Sequence, residues 1–259
     1  MSRSPAGTMA DAPSPNLLRQ WNIAAGNFFF KHRNNAFPLI FALAVLVMRP
    51  RILLDDPTLD RWLTMLGAAV AVLGQTIRLT TIGFEYIERG GKEGKVYASR
   101  LVDKGVYGLS RNPMYVGNAL IAVGVSMVTG SPQAYLVLIP LFLFIYQAIV
   151  AAEEHYLAPR FGTEYQEYSA RVPRWLLAFR NIPQAFTDTR YNWKRSLRQE
   201  LSTITALLLG LILFPLWRLF FIAGVDAAKA MAPRAAALAG LVLVAYGVLV
   251  WMKGKKLLE

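Results

Sequence analysis

The chain has 259 residues, 55% of them hydrophobic and 17% charged, with a formal net charge of +12. Its apolar residues come in long blocks rather than in the short alternations of a soluble domain, which points to an integral membrane protein. With no cysteine, disulfides, thiolate catalysis and Cys-ligated metal centres are excluded, and two histidines, His32 and His155, are too few for a histidine-rich metal site.

Residues 1–34 lack a long apolar core followed by a small-residue cleavage site, so they read as a cytoplasmic tail leading into a basic, aromatic interfacial segment over 21–33, with no cleavable signal. About six spans follow, judged against the roughly 20 apolar residues a bilayer core requires. They are expected near 36–54, 62–84, 114–130, 134–152, 201–221 and 235–252, giving an all-α polytopic helical bundle. Arg49-Pro50-Arg51 interrupts the first span, and only Ser131, Pro132 and Gln133 join the third to the fourth as a tight hairpin. The reading divides the chain into the tail and interfacial segment (1–34), a core (35–175), an interfacial linker (176–200) and a C-terminal pair of spans (201–259).

Lysines and arginines concentrate in alternate connections: the tail, the loop after the second span and the loop after the fourth. That is the positive-inside pattern, and it places both termini and both basic loops in the cytoplasm, as in a bacterial inner-membrane protein. It also accounts for the net charge without nucleic acid, since no long soluble basic region is present. Arg218 is counted with the opposite loops, and Arg78 is expected to snorkel from the end of the second span. Glycines recur seven apart at Gly67 and Gly74, Gly117 and Gly124, and Gly240 and Gly247, each pair on one helix face as a packing device.

No two glycines stand two apart, so a GxGxxG loop is excluded; GGKEGK at 90–95 reads as a flexible basic turn, and no GxSxG elbow exists. The polar residues that demand another explanation flank the hairpin: GVYGLSRNPMYVGN at 105–118 and EEHYLAPRFGTEYQEYSARVPRW at 153–175. Charge beside hydrocarbon needs a partner, a ligand or water. Pro113 suits the first turn of a helix whose free N–H groups could face an anion, while Glu153 or Glu154 suits an ammonium group. Together they form a receptor for a zwitterionic amino-acid moiety.

The order Gly-Val-Tyr, Arg-Asn-Pro-Met-Tyr-Val-Gly, an apolar hairpin, Glu-Glu-His-Tyr-Leu, Phe-Gly-Thr-Glu-Tyr-Gln-Glu-Tyr and Val-Pro resembles the isoprenylcysteine carboxyl methyltransferases and their relatives among phospholipid methyltransferases, over about residues 84–175. The resemblance implies an S-adenosylmethionine-dependent membrane methyltransferase. Its cofactor contacts would be Leu101, Val102, Tyr107, Asn112, Pro113, Met114, Tyr115 and Glu153, with Arg111 added by its place in the motif. Arg171 and Arg174 are candidates for substrate binding. Glu154, His155 and Tyr165 are candidates for accepting a proton if the acceptor is an amine; a carboxylate acceptor needs no base.

Asn112 stands where the eukaryotic prenylcysteine enzymes have His, and Ile149 where they carry a substrate-binding Arg. The expected acceptor is therefore a lipophilic molecule other than prenylcysteine, carrying either a lipid amino headgroup or a carboxylate. The rival readings are a membrane reductase of the sterol-reductase type using NADPH and a non-catalytic membrane assembly protein. The last two spans widen the lipid entrance or mediate homo-oligomerisation.

Overall fold

A computed structural model describes residues 17–85, 97–187 and 189–258, and all its regular structure is helical. The turn at 90–95 and the first 16 residues of the tail lie outside that range. The helices are α1 (Leu17–Val47), α2 (Pro57–Phe84), α3 (Pro113–Val128), α4 (Ile139–Arg171), the one-turn α5 (Ile182–Ala185) and α6 (Trp193–Gly254). A π turn over Ala134–Leu138 feeds α4. Among the described residues, Pro57–Phe84, Ala134–Arg171 and Trp193–Gly254 are long and apolar enough to cross a membrane, and Pro113–Val128 is a shorter apolar helix. With the outer half of α1 and the two parts of α6, the molecule is a polytopic transmembrane bundle of about six spans.

Local chemistry sets the helix limits. Asp56 caps α2 by accepting from the Thr58 and Leu59 amides at 2.8 and 3.1 Å, with Pro57 in the first turn. Pro113 starts α3 in the same way. Asn192 caps α6 by accepting from the Arg195 amide at 2.9 Å, so the helix starts at Trp193, ahead of the fifth span expected from 201. Gly224, at φ 84°, breaks α6 between its two apolar stretches; the left-handed backbone there favours glycine. In α1 no break separates the interfacial segment from the first span, since one helix runs from Leu17 through Pro38 to Val47.

Two of the three glycine pairs pack against each other. A methyl group on Gly74 would come within 2.5 Å of the Gly117 carbonyl oxygen, and one on Gly67 within 2.8 Å of the Gly124 oxygen, so α2 and α3 meet backbone to backbone. The third expectation is not met: Gly240 and Gly247 face open space in the monomer. Arg78 does not snorkel either. It is 5% exposed and binds Glu200 of α6, because a charge held inside the bundle requires a counter-charge. Arg218 is likewise no loop charge. It is 7% exposed and pairs with Asp60, with Thr64 Oγ1 at 2.6 Å.

The connections sort to two ends of the bundle, as an alternating topology requires. At one end the Arg51 amide donates to the Gly130 carbonyl at 3.1 Å, near the Arg218–Asp60 pair. At the other end, the Asn192 amide donates to Gly83 at 2.8 Å, and the two halves of the polar motif meet.

Candidate active site

The segment 105–112 folds as a short 3-10 turn and an irregular stretch stitched to the chain that leaves α4. The Tyr168 hydroxyl donates to the Tyr107 carbonyl at 2.9 Å, the Arg111 amide to the Pro173 carbonyl at 2.9 Å, and Asn112 Nδ2 to the Arg174 carbonyl at 3.1 Å. The Ala178 amide closes on the Leu109 carbonyl at 2.8 Å. These bonds satisfy backbone groups that an irregular segment would otherwise bury unpaired. The same bonds bring the start of α3 beside the extension of α4 beyond Ala152.

Two carboxylates sit at that junction with different partners. Glu153 Oε1 accepts from the Tyr115 hydroxyl at 2.5 Å. Glu154 receives two arginines: Arg174 Nη2 stands 2.9 Å from Oε2, and Arg111 Nη2 stands 3.6 Å from Oε1. Adjacent positions on a helix point about 100° apart, which separates the two roles. Arg111 Nε, Arg174 Nε and Glu154 Oε1 are buried without a hydrogen-bond partner among the described residues. Tyr165 is 6% exposed; burial and then the Glu154 carboxylate push its phenol up to about 12, against the opposing pull of Arg111. Burial raises the Tyr168 phenol as well, with Tyr107 and Tyr165 adding to it.

Most of the residues expected at the site gather here. Pro113 and Met114 are buried at the start of α3, Asn112 beside them, and Tyr115 half-buried against the core cluster of Phe142 and Tyr146. Leu101 packs on Tyr165, Tyr168 and Val172; Val102 and Tyr107 are half-buried next to it. Two candidates stand apart. His155 lines a cavity of about 460 Å³ with Arg19, Gln20 and Asn27 of α1, away from the Glu154 group. Arg171 is an exposed partner of Asp103 at 2.9 Å.

Sequence reasoning missed Arg33. On α1, its guanidinium carbon lies 4.2 Å from the centre of the Phe30 ring, which belongs to the core cluster that Tyr115 packs against. The run of three aromatic residues followed by Lys, His and Arg in FFFKHR (28–33) was a signal of an interfacial helix. Its place beside a cluster built from α3 and α4 is a tertiary fact.

The profile of a family described as phospholipid methyltransferase matches residues 62–164. The chain is 29% identical over 117 residues to protein-S-isoprenylcysteine O-methyltransferase B of Arabidopsis thaliana, covering 43% of this chain and 58% of that protein. It is 33% identical over 114 residues to the protein-S-isoprenylcysteine O-methyltransferase of Saccharomyces cerevisiae, covering 42% of this chain and 46% of the yeast protein. The chain thus spans about half the length of these two relatives. The cobalt-zinc-cadmium resistance protein CzcN of Cupriavidus metallidurans is 30% identical over 165 residues, covering 62% of this chain and 70% of that protein. No solved structure matches. The matched region contains α2, the α3–α4 hairpin and both carboxylates, and by that match and the extent of the likeness to CzcN the chain belongs to the phospholipid methyltransferase family.

Proposed function

We propose that the protein is an integral membrane methyltransferase that moves the methyl group of S-adenosylmethionine to a lipophilic acceptor, and that the acceptor atom is a carboxylate oxygen. The observation that carries this is the meeting of Tyr115–Glu153 and Arg111–Glu154–Arg174 at one end of an apolar bundle. The plant and yeast relatives, both named as O-methyltransferases, support the oxygen acceptor.

The donor set fits the cofactor. Glu153 offers a carboxylate to an ammonium group, the buried unpartnered atoms of Arg111, Glu154 and Arg174 offer further polar contacts, and the half-buried Leu101 and Val102 offer apolar surface to a purine, while the buried Pro113 and Met114 fix the start of α3. Asn112 and Tyr107 complete that set. S-adenosylmethionine, when bound, supplies an electrophilic methyl on a sulfonium. The protein's part is alignment and exclusion of water, which is what a site stitched shut by the 105–112 and 173–178 segments provides.

Acceptor chemistry is narrowed by the three residues considered as bases. Glu154 is held by two arginines, Tyr165 keeps its proton at neutral pH, and His155 faces α1. None is poised to take a proton from an amine, whereas a carboxylate needs no base. Ile149 is fully buried in the core cluster, so α4 presents no cation to the acceptor at that position. The alternating basic loops support a cytoplasmic location for this end of the bundle and for both termini, in a bacterial inner membrane. The cofactor then arrives from the cytoplasm and the acceptor sideways from the bilayer.

Calorimetry with S-adenosylhomocysteine tests the cofactor site. Glu153→Gln is expected to weaken binding about tenfold to hundredfold, the size of a lost charge-assisted contact, while the exposed Glu167→Gln leaves it unchanged. Equal affinities would remove Glu153 from the site. Transfer of labelled methyl groups to a total membrane lipid extract, followed by base treatment that cleaves methyl esters but not methylamines, tests the acceptor atom.

A further inference from the structure

Three arginines stand at or beside the site, and one of them differs from the others. Arg111 and Arg174 share Glu154. Arg33 makes no ion pair and no hydrogen bond with any described residue, although the Phe30 ring it lies over belongs to the cluster that Tyr115, the partner of Glu153, packs against. Yet its position is fixed. The guanidinium lies over Phe30, which is 5% exposed and belongs to the core cluster that holds Tyr146 and Ile149 and packs against Tyr115. The α1 backbone is pinned there as well, since a methyl group on Gly26 would come within 2.9 Å of the Ala152 Cβ atom.

A half-buried guanidinium held on an aromatic face, with its N–H donors unused, is a preorganised receptor for a planar anion. Two parallel N–H bonds to a carboxylate are the arrangement it suits best. The position matters in relation to Ile149. Where α4 carries an apolar residue sealed in the core, α1 brings a cation to the same cluster from a neighbouring helix.

Resting on the methyltransferase reading above, we propose that Arg33 binds the carboxylate of a ligand in this site. Two ligands carry that group: the amino-acid end of the cofactor, whose ammonium Glu153 would hold close by, and the acceptor. Both sources present the same chemistry to the guanidinium, and the experiment separates them.

Wild type, Arg33→Gln and Arg33→Lys are purified and their melting temperatures recorded. Calorimetry follows with S-adenosylhomocysteine and with 5′-methylthioadenosine, which keeps the nucleoside and lacks the amino-acid carboxylate. If the cofactor is the source, Arg33→Gln weakens S-adenosylhomocysteine by about tenfold to hundredfold and leaves 5′-methylthioadenosine unchanged, and Arg33→Lys recovers part of the loss. If the acceptor is the source, both nucleosides bind as in wild type, and KM for a total membrane lipid extract rises by a similar factor while kcat holds. Unchanged S-adenosylhomocysteine affinity together with unchanged KM overturns the proposal and leaves the methyltransferase reading standing. Equal loss of both nucleosides with a lowered melting temperature also overturns it, because that is a packing role. A wild-type protein that binds no S-adenosylhomocysteine removes the methyltransferase reading and this inference together.

Discussion

Arg78 meets Glu200 through two bonds of 2.7 Å, between side chains that are 6% and 0% exposed; Arg174 meets Glu154 through one of 2.9 Å, between side chains 29% and 21% exposed. In the first group the donors are used up. Arg78 Nη1 turns to Asn118 Oδ1, and Gln75 Nε2 adds a third bond to Glu200 at 3.0 Å. In the second group Arg111, Arg174 and Glu154 each keep a buried polar atom without a partner. The same residue types thus build a bolt in one place and the proposed receptor in the other; Gln75 Oε1 also lacks a partner in the first group, so what separates the two is that Arg78 Nε, Nη1 and Nη2 are all bonded whereas Arg111 Nε and Arg174 Nε are not. The bolt joins α2, α3 and α6, so it also explains how the first part of α6 is held to the core that the family profile matches.

The largest expected effect concerns the bolt. Glu200→Gln leaves Arg78 uncompensated inside the bundle and should cost about 3–5 kcal/mol, whereas Arg78→Met with Glu200→Leu should recover most of it. By the same thermal unfolding readout in detergent, Glu154→Gln should cost less than about 1 kcal/mol, because that group is partly open to solvent. Comparable losses for Glu154→Gln would erase the distinction between the two groups.

A smaller effect tests the glycine faces. Gly74→Ala places a methyl against the Gly117 carbonyl and should destabilise by about 1–3 kcal/mol. Gly240→Ala, on an open helix face, should be neutral or stabilising by up to about 1 kcal/mol. A loss at Gly240 as large as at Gly74 would show that this face meets another helix in the assembled protein, and crosslinking would identify a second copy.

The smallest effect is an expected absence of change. With its phenol pushed up to about 12, Tyr165 stays protonated, so Tyr165→Phe should leave the pH profile of methyl transfer unaltered between about pH 6 and pH 9. The appearance or loss of a titration in that range would make Tyr165 a proton acceptor and return an amine acceptor to consideration.

Much of the architecture was legible because membrane constraints are written locally. A span is a run of apolar residues, and a helix start is Pro57 or Pro113 after a polar residue; each needs only neighbouring residues. Glu153, Tyr115 and Arg111 could be singled out because a polar residue in an apolar chain is conspicuous wherever it points. For Arg78 and Arg218 the same reasoning failed, since snorkelling and burial use the same sequence and differ only in whether a carboxylate waits across the bundle.

What the sequence determined by itself was therefore the number and chemistry of the parts: about six apolar passes, two polar clusters beside a hairpin, and glycine faces at a spacing of seven. Pairing was left to the tertiary structure. Gly67 and Gly74 found Gly117 and Gly124 while Gly240 and Gly247 found nothing within the monomer; Glu200 went to Arg78; His155 turned from the carboxylates toward α1; and Arg33 came to lie on Phe30, in the cluster that Tyr115 packs against. Helix periodicity fixes which face a residue occupies, but the neighbour that covers that face is chosen by packing between segments far apart in the chain.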